Sequence, residues 1–265
     1  MRCSDSNDLQ CEVVDGTILK PEVSIVVPTY CEAENLEDLV GRISAALSSE
    51  TLTWEVIVVD DDSPDDTSAI CGRLAETYPL RLVVRRNERG LSSAVIHGLE
   101  VAHGVALVVM DADLSHPPEQ IPALVNSLKT SKFAIGSRYM GGGATEDRWS
   151  LARRLLSRSA TWLARPLTSV SDPMSGFFAL SRDTYRGVAN KLTPVGYKIG
   201  LELIVKLNCH DVGEVPIFSE DRKRGVSKLT FREELRYLRH LMQLYGYRLR
   251  QALSRAIRWR SESNR

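Results

Sequence analysis

The sequence lacks the features that mark secreted, membrane-spanning and zinc-binding proteins. Its five cysteines are odd in number and form no C-x-x-C pair, which argues against a disulfide framework or a zinc site and fits a reducing compartment. The first residues contain no apolar signal-peptide core. No apolar run approaches the roughly 18 residues that a transmembrane helix requires. We therefore expect a cytosolic protein.

The chain also lacks net charge and the common glycine-rich phosphate loops. Lys plus Arg and Asp plus Glu both number 34, so the overall charge does not indicate a partner, but residues 222–265 contain 13 Lys or Arg against 3 Glu. Neither G-x-x-x-x-G-K-[ST] nor G-x-G-x-x-G occurs, which disfavours a P-loop or dinucleotide fold. A phosphate ligand would therefore need a metal ion and arginines.

Short apolar runs alternate with segments of helical period, as in a parallel sheet covered by helices. The runs cover residues 24–30, 54–61, 81–86, 105–113 and 133–139, and the helical segments cover 34–48, 65–78, 91–103 and 117–129. This order predicts an α/β fold with a doubly wound, mostly parallel open sheet and helices on both faces. Ser63 and Pro64 predict the cap and first residue of the second helix.

Polar clusters follow four of the apolar runs, where ligands bind in open parallel sheets. Asp111 and Asp113 are two apart, so in an extended segment both can face one ion, and two hard carboxylates suit Mg²⁺ or Mn²⁺. A turn or helix cap is the competing explanation. His97 and His116 are better explained by packing or by initiation of the next helix than by metal ligation.

Six segments in order resemble family-2 glycosyltransferases of the GT-A fold, and most closely their dolichyl-phosphate mannosyltransferase (polyprenyl-phosphate sugar transferase) branch. They are "VSIVVPTYCEAENL", "VVDDDSPDDT", "VVMDADLSHPPEQIP", "GSRY", "DPMSGFFAL" and "GEVPIFSEDRKRGVSKL". The likeness extends from about residue 22 to 230. It implies a nucleotide-sugar donor and a polyprenyl phosphate acceptor on the cytosolic leaflet.

The resemblance also implies roles for single residues on the donor side. Pro28, Tyr30 and Glu32 would contact the base and ribose, as would Val59 and Asp61 at the end of the second strand. These positions match the motifs after the first two predicted strands.

Metal and phosphate contacts follow from the later motifs. Asp111 and Asp113 would bind the metal, with Ala112 between them at the donor, and Ser115 falls where some members place a Gln ligand. The remaining phosphate contacts are Arg138, Arg222 and Lys228 for the donor and Arg153 and Ser157 for the acceptor. Asp172 is either a turn residue before a strand or a sugar contact.

The implied reaction is inverting transfer of mannose from GDP-mannose to dolichyl or polyprenyl phosphate, which yields a β-linked lipid-phospho-sugar. A UDP-glucose-dependent polyprenyl-phosphate glucosyltransferase and a non-catalytic nucleotide-sugar-binding subunit are the alternatives. A nucleic-acid contact by the basic end is disfavoured, because the interleaved aromatics of a single-strand binder are missing.

The distribution of charged residues and the spacing of apolar residues predict three parts of the chain: a polar tail (1–20), a catalytic domain (21–230) and a basic amphipathic helix (231–265). The apolar positions of this helix are Leu235, Leu238, Leu241, Met242, Tyr245, Leu249, Leu253 and Ile257. Two interpretations stay open: a helix docked on the catalytic domain with a solvated charged side, or a peripheral membrane contact at the cytosolic face. A separate membrane subunit is a further possible partner.

Overall fold

The computed structural model describes residues 13–14, 17–18, 20–50, 52–141, 144–145, 161–193, 195–219 and 231–262. The strands are β1 (Val13–Val14), β2 (Thr17–Ile18), β3 (Val23–Thr29), β4 (Trp54–Asp60), β5 (Leu80–Val84), β6 (Ala106–Val109), β7 (Phe133–Ser137), β8 (Ala144–Thr145), β9 (Phe178–Ser181), β10 (Val212–Pro216) and β11 (Phe218–Ser219). The helices are α1 (Ala33–Ser48), α2 (Thr67–Ala75), α3 (Leu91–Val101), α4 (Ile121–Ser127), α5 (Arg182–Arg186), α6 (Ile199–Leu207) and α7 (Phe231–Glu262).

The central sheet has seven strands in the order β10-β7-β9-β6-β3-β4-β5. All neighbouring pairs are parallel except those of β9, which is antiparallel to both β6 and β7. The prediction of a mostly parallel, doubly wound open sheet is therefore confirmed. Two small pairs lie apart from this sheet: β1 with β2, inside the predicted tail, and β8 with β11.

Alternate residues of the strands face two separate cores. On one face, β3, β4 and β6 pack against α1, α2 and α4 through residues such as Ile25 and Leu39. On the other face, the same strands and β7 and β9 pack against α3, α5 and α6 through residues such as Val26 and Phe178. Burial on both faces explains why these strands are continuously apolar in sequence.

The start of α2 differs from the prediction. The helix begins at Thr67, and Ser63 is not its cap. The Ser63 backbone N–H and hydroxyl both donate to Asp60, and its hydroxyl oxygen accepts from the Cys31 backbone N–H at 2.8 Å. Ser63 therefore ties the ends of β3 and β4 together, and the strand-end contacts outweigh the local capping preference.

Helix α7 is present as predicted and docks on the domain by one face. Tyr237, Leu241 and Leu244 are buried against Leu201 and Val205 of α6. Tyr245 donates to the Leu163 carbonyl at 2.7 Å. Within the described ranges, no helix is long and apolar enough to cross a membrane.

Candidate active site

The carboxyl ends of β3 and β6 flank the point where the strand order reverses. From β3 the chain adds β4 and β5 on one side, whereas β6, β9, β7 and β10 lie on the other. In open α/β sheets the ligand crevice lies at this switch point. Tyr30 follows β3 and Asp111 follows β6, so these two predicted site residues lie after adjacent strands at the edge where such a crevice forms.

The predicted base and ribose contacts lie along the ends of β3 and β4. Pro28 and Val59 are register partners, and both are buried. The Arg89 guanidinium lies over the Tyr30 ring, 4.6 Å from its centroid. Glu32 accepts a hydrogen bond from the Asn35 side chain at 2.8 Å.

The buried carboxylate of Asp61 forms an ion pair with the buried guanidinium of Arg85. One carboxylate oxygen accepts from Nε and Nη2 of Arg85 at 2.8 and 2.5 Å, and the other accepts from the Gly90 backbone N–H at 2.8 Å. Gly90 is at the N-cap of α3 with a φ of 149°, which favours glycine. Asp61 thus secures the loop that carries Arg89. Sequence reasoning missed Arg85, because a basic residue at a strand end carries no signal of its partner.

The two aspartates after β6 are held within their own loop. Asp113 is 3% exposed, and its Oδ1 accepts from the Ser115 hydroxyl at 2.6 Å and from the Ser115 backbone N–H at 3.1 Å. The intervening Leu114 has a φ of 63°, which turns the chain back sharply. The Asp111 side chain is more accessible, with 32% exposed, and Ala112 is buried.

The donor set at this loop fits a magnesium or manganese ion shared with a substrate. Both carboxylates are hard oxygen ligands, and no group of three or more His, Cys, Asp or Glu in the described ranges could hold a metal alone. Mg²⁺ commonly binds through one or two carboxylates plus substrate phosphates and water. The residues therefore fit such an ion, and Asp111, Asp113 and Ser115 are those that would hold it.

Arg138 forms a bidentate pair with Asp172. Its Nε and Nη2 lie 2.6 and 2.9 Å from the two carboxylate oxygens, and its backbone N–H also donates to Asp172 at 3.2 Å. Burial alone lowers the pKa of Arg138, but the hydrogen bond and charge of Asp172, with the charges of Tyr139 and Asp111, raise it overall. Arg138 is therefore a fixed positive charge within the electrostatic reach of Asp111.

Strand β9 explains how Asp172 reaches this position. Because β9 is antiparallel to its neighbours, the segment that precedes it lies at the carboxyl edge of the sheet. A Cβ on Gly176 would lie 3.5 Å from Asp111 Oδ2. The segment before β9 therefore borders the aspartates, and Asp172 supports Arg138 from within it.

Four predicted phosphate contacts lie outside the described residues. They are Arg153, Ser157, Arg222 and Lys228. Their roles stay predictions.

A buried polar cluster that sequence reasoning missed joins α7 to the catalytic domain. Glu202 of α6 is fully buried and lies 2.6 Å from Lys206 and 3.3 Å from His240 of α7. Burial alone raises the pKa of Glu202, but its contacts with His240, Lys206 and the Thr193 backbone lower it overall. The carboxylate therefore stays ionised at neutral pH and lies beside His240 at the docked face of α7.

Comparison with known proteins places this architecture in a family. Residues 24–188 match Glycosyl transferase family 2. The chain belongs to this family. That match extends from β3 to the end of α5 and includes the aspartate loop, Arg138 and Asp172, so the family resemblance seen in the sequence is confirmed.

Three family relatives carry the name dolichol-phosphate mannosyltransferase. The protein from Pyrococcus furiosus is 46% identical over 84% of this chain and 63% of its own length. Those from Mycosarcoma maydis and Saccharomyces cerevisiae are 43% and 42% identical over 88% and 86% of this chain and 82% and 88% of their own lengths. This chain thus spans less than two thirds of the Pyrococcus relative.

Solved structures confirm the GT-A glycosyltransferase fold. Glucosyl-3-phosphoglycerate synthase from Mycobacterium tuberculosis, solved with Mn²⁺ and UDP, has a TM-score of 0.61 at 21% identity over 86% of this chain and 80% of its own. A mannosyltransferase from Pyrobaculum calidifontis, solved with GDP-Man and Mn²⁺, has a TM-score of 0.58 at 23% identity over 88% of this chain and 65% of its own.

Proposed function

We propose that this chain is an inverting glycosyltransferase that moves mannose from GDP-mannose to dolichyl or polyprenyl phosphate. The observation that carries the proposal is an accessible carboxylate, Asp111, at the switch point of the sheet, on the same carboxyl edge as Arg138, whose positive charge is held in place by Asp172. The names of the three relatives at 42–46% identity support mannose and dolichyl phosphate as its substrates.

The charges around the crevice suit departure of a nucleoside diphosphate. A divalent ion held by Asp111 and Asp113 would neutralise charge that develops on the leaving diphosphate. Arg138 adds positive charge in a fixed geometry, since Asp172 holds its guanidinium by two hydrogen bonds. The predicted roles of Arg222 and Lys228 would add two further cations.

The acceptor needs no strong base from the protein. A phosphate monoester has a second pKa of about 6, so at pH 7 most of it is already a dianion. His116, the histidine beside Asp111, is buried and accepts a hydrogen bond from the Asp111 backbone N–H. Its Nδ1 is therefore occupied, and the dianion itself serves as the nucleophile.

A transfer assay with purified protein tests the reaction. GDP-mannose and UDP-glucose, each labelled in the sugar, are offered in parallel with Mg²⁺ or Mn²⁺ and a detergent-solubilised polyprenyl phosphate. We expect chelator-sensitive label in the organic phase from GDP-mannose. Label from UDP-glucose alone would establish the glucosyltransferase alternative, and nucleotide binding without turnover of either donor would support the non-catalytic alternative.

We also propose that α7 contacts the cytosolic face of a membrane. Six apolar side chains on α7 are between 38% and 68% exposed: Leu235, Leu238, Met242, Tyr245, Leu249 and Leu253. At about 100° per residue they occupy one face roughly 80° wide, beside the docked face. Arg239 and Arg250 flank this exposed stripe on the side away from the docked face, which suits anionic lipid.

Substitution of two leucines of α7 tests its docking on the catalytic domain and its membrane contact independently. Leu241 is 4% exposed and Leu249 is 63% exposed. We expect Leu241→Ala to lower the free energy of unfolding by about 2–5 kcal/mol. Leu249→Ala should leave stability nearly unchanged but weaken binding to phosphatidylserine vesicles roughly 30-fold, because it loses about 2 kcal/mol of apolar burial.

Urea denaturation and vesicle sedimentation of the full chain measure these two effects. Equal vesicle binding by wild type and Leu249→Ala would contradict the bilayer contact. If the wild type binds no vesicles and needs a membrane protein for activity, the exposed stripe instead contacts a membrane subunit.

A further inference from the structure

The imidazole of His116 is a buried polar group beside Asp111 that the proposed chemistry does not use. His116 is 7% exposed. Its Nδ1 accepts a hydrogen bond from the Asp111 backbone N–H at 3.0 Å, and its Nε2 lies 3.9 Å from Asp111 Oδ2. One ring therefore meets both the backbone and the carboxylate of the same residue.

Neighbouring groups fix the plane and position of this ring. His116 stacks on Phe177 with centroids 5.3 Å apart and an interplanar angle of 12°. A Cβ on Gly176 would lie only 3.3 Å from His116 Cε1. The ring is thus packed on the Phe177 side chain and lies close to Gly176, and it is largely buried.

The hydrogen bond also indicates which nitrogen carries the proton. Because Nδ1 accepts from an N–H, its lone pair is used and the neutral ring carries its proton on Nε2, which faces the Asp111 carboxylate. A separation of 3.9 Å is too long for a hydrogen bond. His116 therefore orients Asp111 mainly by holding its backbone, and the ring edge limits where the carboxylate can lie.

We propose that His116 is a positioning residue that presents the Asp111 carboxylate to the divalent ion. Asp113 already has such a partner, since Ser115 donates two hydrogen bonds to its Oδ1. His116 supports Asp111 from the same loop in a different way, by accepting a hydrogen bond from its backbone N–H. This inference rests on the proposed function, because it assumes that Asp111 and Asp113 hold the ion.

Three substitutions distinguish positioning from simple packing. His116→Phe keeps the ring on Phe177 but removes the acceptor for the Asp111 N–H. His116→Asn places an amide oxygen close to the position of Nδ1 and can restore that hydrogen bond, whereas His116→Gln places its amide nearer to Nε2. The exposed His210, in the loop before β10, gives a matched control, His210→Phe.

Mn²⁺ binding to the full chain, without donor or acceptor, provides the readout. Electron paramagnetic resonance of free Mn²⁺ gives the dissociation constant, and thermal melting reports folding in parallel. Loss of an outer partner of a metal ligand typically weakens metal affinity about 10–100-fold. We expect His116→Phe to lose this much Mn²⁺ affinity. Affinity should recover almost completely in His116→Asn and only partly in His116→Gln, and it should be unchanged in His210→Phe.

The outcomes separate this inference from the proposed function. If His116→Phe melts at a lower temperature but binds Mn²⁺ like the wild type, while Asp113→Ala does not bind it, the positioning role is overturned and the metal site stands. Equal loss in all three His116 variants would indicate packing alone and would also overturn it. If the wild type binds Mn²⁺ only with GDP present, the same comparison of variants is made with GDP. A wild type that binds no Mn²⁺ under either condition would overturn both.

Discussion

Asp113→Ala is expected to lower the rate of sugar transfer at least about 10³-fold, because a Lewis-acid ion contributes several kcal/mol and each 1.36 kcal/mol is a factor of ten. Asp113 is nearly fully buried at the end of a loop that it stabilises through Ser115. The variant should nonetheless fold, since the lost contacts are local to that loop. Steady-state transfer and thermal melting measure the two properties.

Asp113→Asn provides the control for this loss. Its amide oxygen can still accept both hydrogen bonds from Ser115, so the loop geometry is kept while the charge and the second ligand oxygen are lost. We expect its transfer rate to fall nearly as far as that of Asp113→Ala, with a smaller change in melting temperature. Near-normal transfer in either variant would contradict the assignment of the metal to this loop.

The strands and helices of the fold could be predicted from the sequence because the spacing of apolar residues along the chain is a local property. The runs 24–30 and 54–61 correspond within one residue at each end to β3 and β4. The fourth run extends past the strand, since β6 ends at Val109 and the chain leaves the sheet before Asp111. That departure places both aspartates in a loop that folds back through Leu114.

Strand direction and partner choice could not be predicted from the same pattern. The sequence of residues 175–181 indicates a strand, but its four consecutive apolar residues, 177–180, do not specify that it is antiparallel to both neighbours. This direction brings Gly176 to Asp111 and Asp172 to Arg138. The partners of Arg138 and Asp61 were missed for a similar reason, because each ion pair joins residues 24 or more positions apart.

The exposure of the apolar residues of α7 is a third property that the sequence alone could not predict. Periodicity placed Leu241 and Leu249 on one amphipathic helix, whereas the structure buries the first and exposes the second. A period of 3.6 identifies an apolar side but does not say how much of it a neighbouring domain covers. Contact with α6 decides this, and it leaves the exposed stripe beside the docked face.

Asp172→Ala is expected to lower the free energy of unfolding by about 3–5 kcal/mol, because it leaves the Arg138 guanidinium buried without its counter-charge. Asp172 is fully buried and both of its oxygens contact Arg138. Transfer should fall as well, since Arg138 would no longer be held beside Asp111. Urea denaturation and the transfer assay measure the two losses separately.

A double substitution distinguishes the structural role of the Arg138–Asp172 ion pair from its role in the reaction. Arg138→Met with Asp172→Leu removes both charges and fills similar volume, and replacing a buried ion pair in this way is often neutral or stabilising. We expect the double variant to regain most of the stability that Asp172→Ala loses. Its transfer rate should remain about 10²–10³-fold below the wild type, because the positive charge that we propose acts on the diphosphate is gone.

Arg138→Lys completes the comparison, because it keeps the charge but loses the bidentate geometry. If Asp172 acts by holding a planar guanidinium in place, this variant should transfer sugar more slowly than the wild type but faster than the double variant. If the double variant were as active as the wild type, the Arg138–Asp172 pair would be a structural element of the crevice wall, and the cations at the diphosphate would have to come from the predicted roles of Arg222 and Lys228.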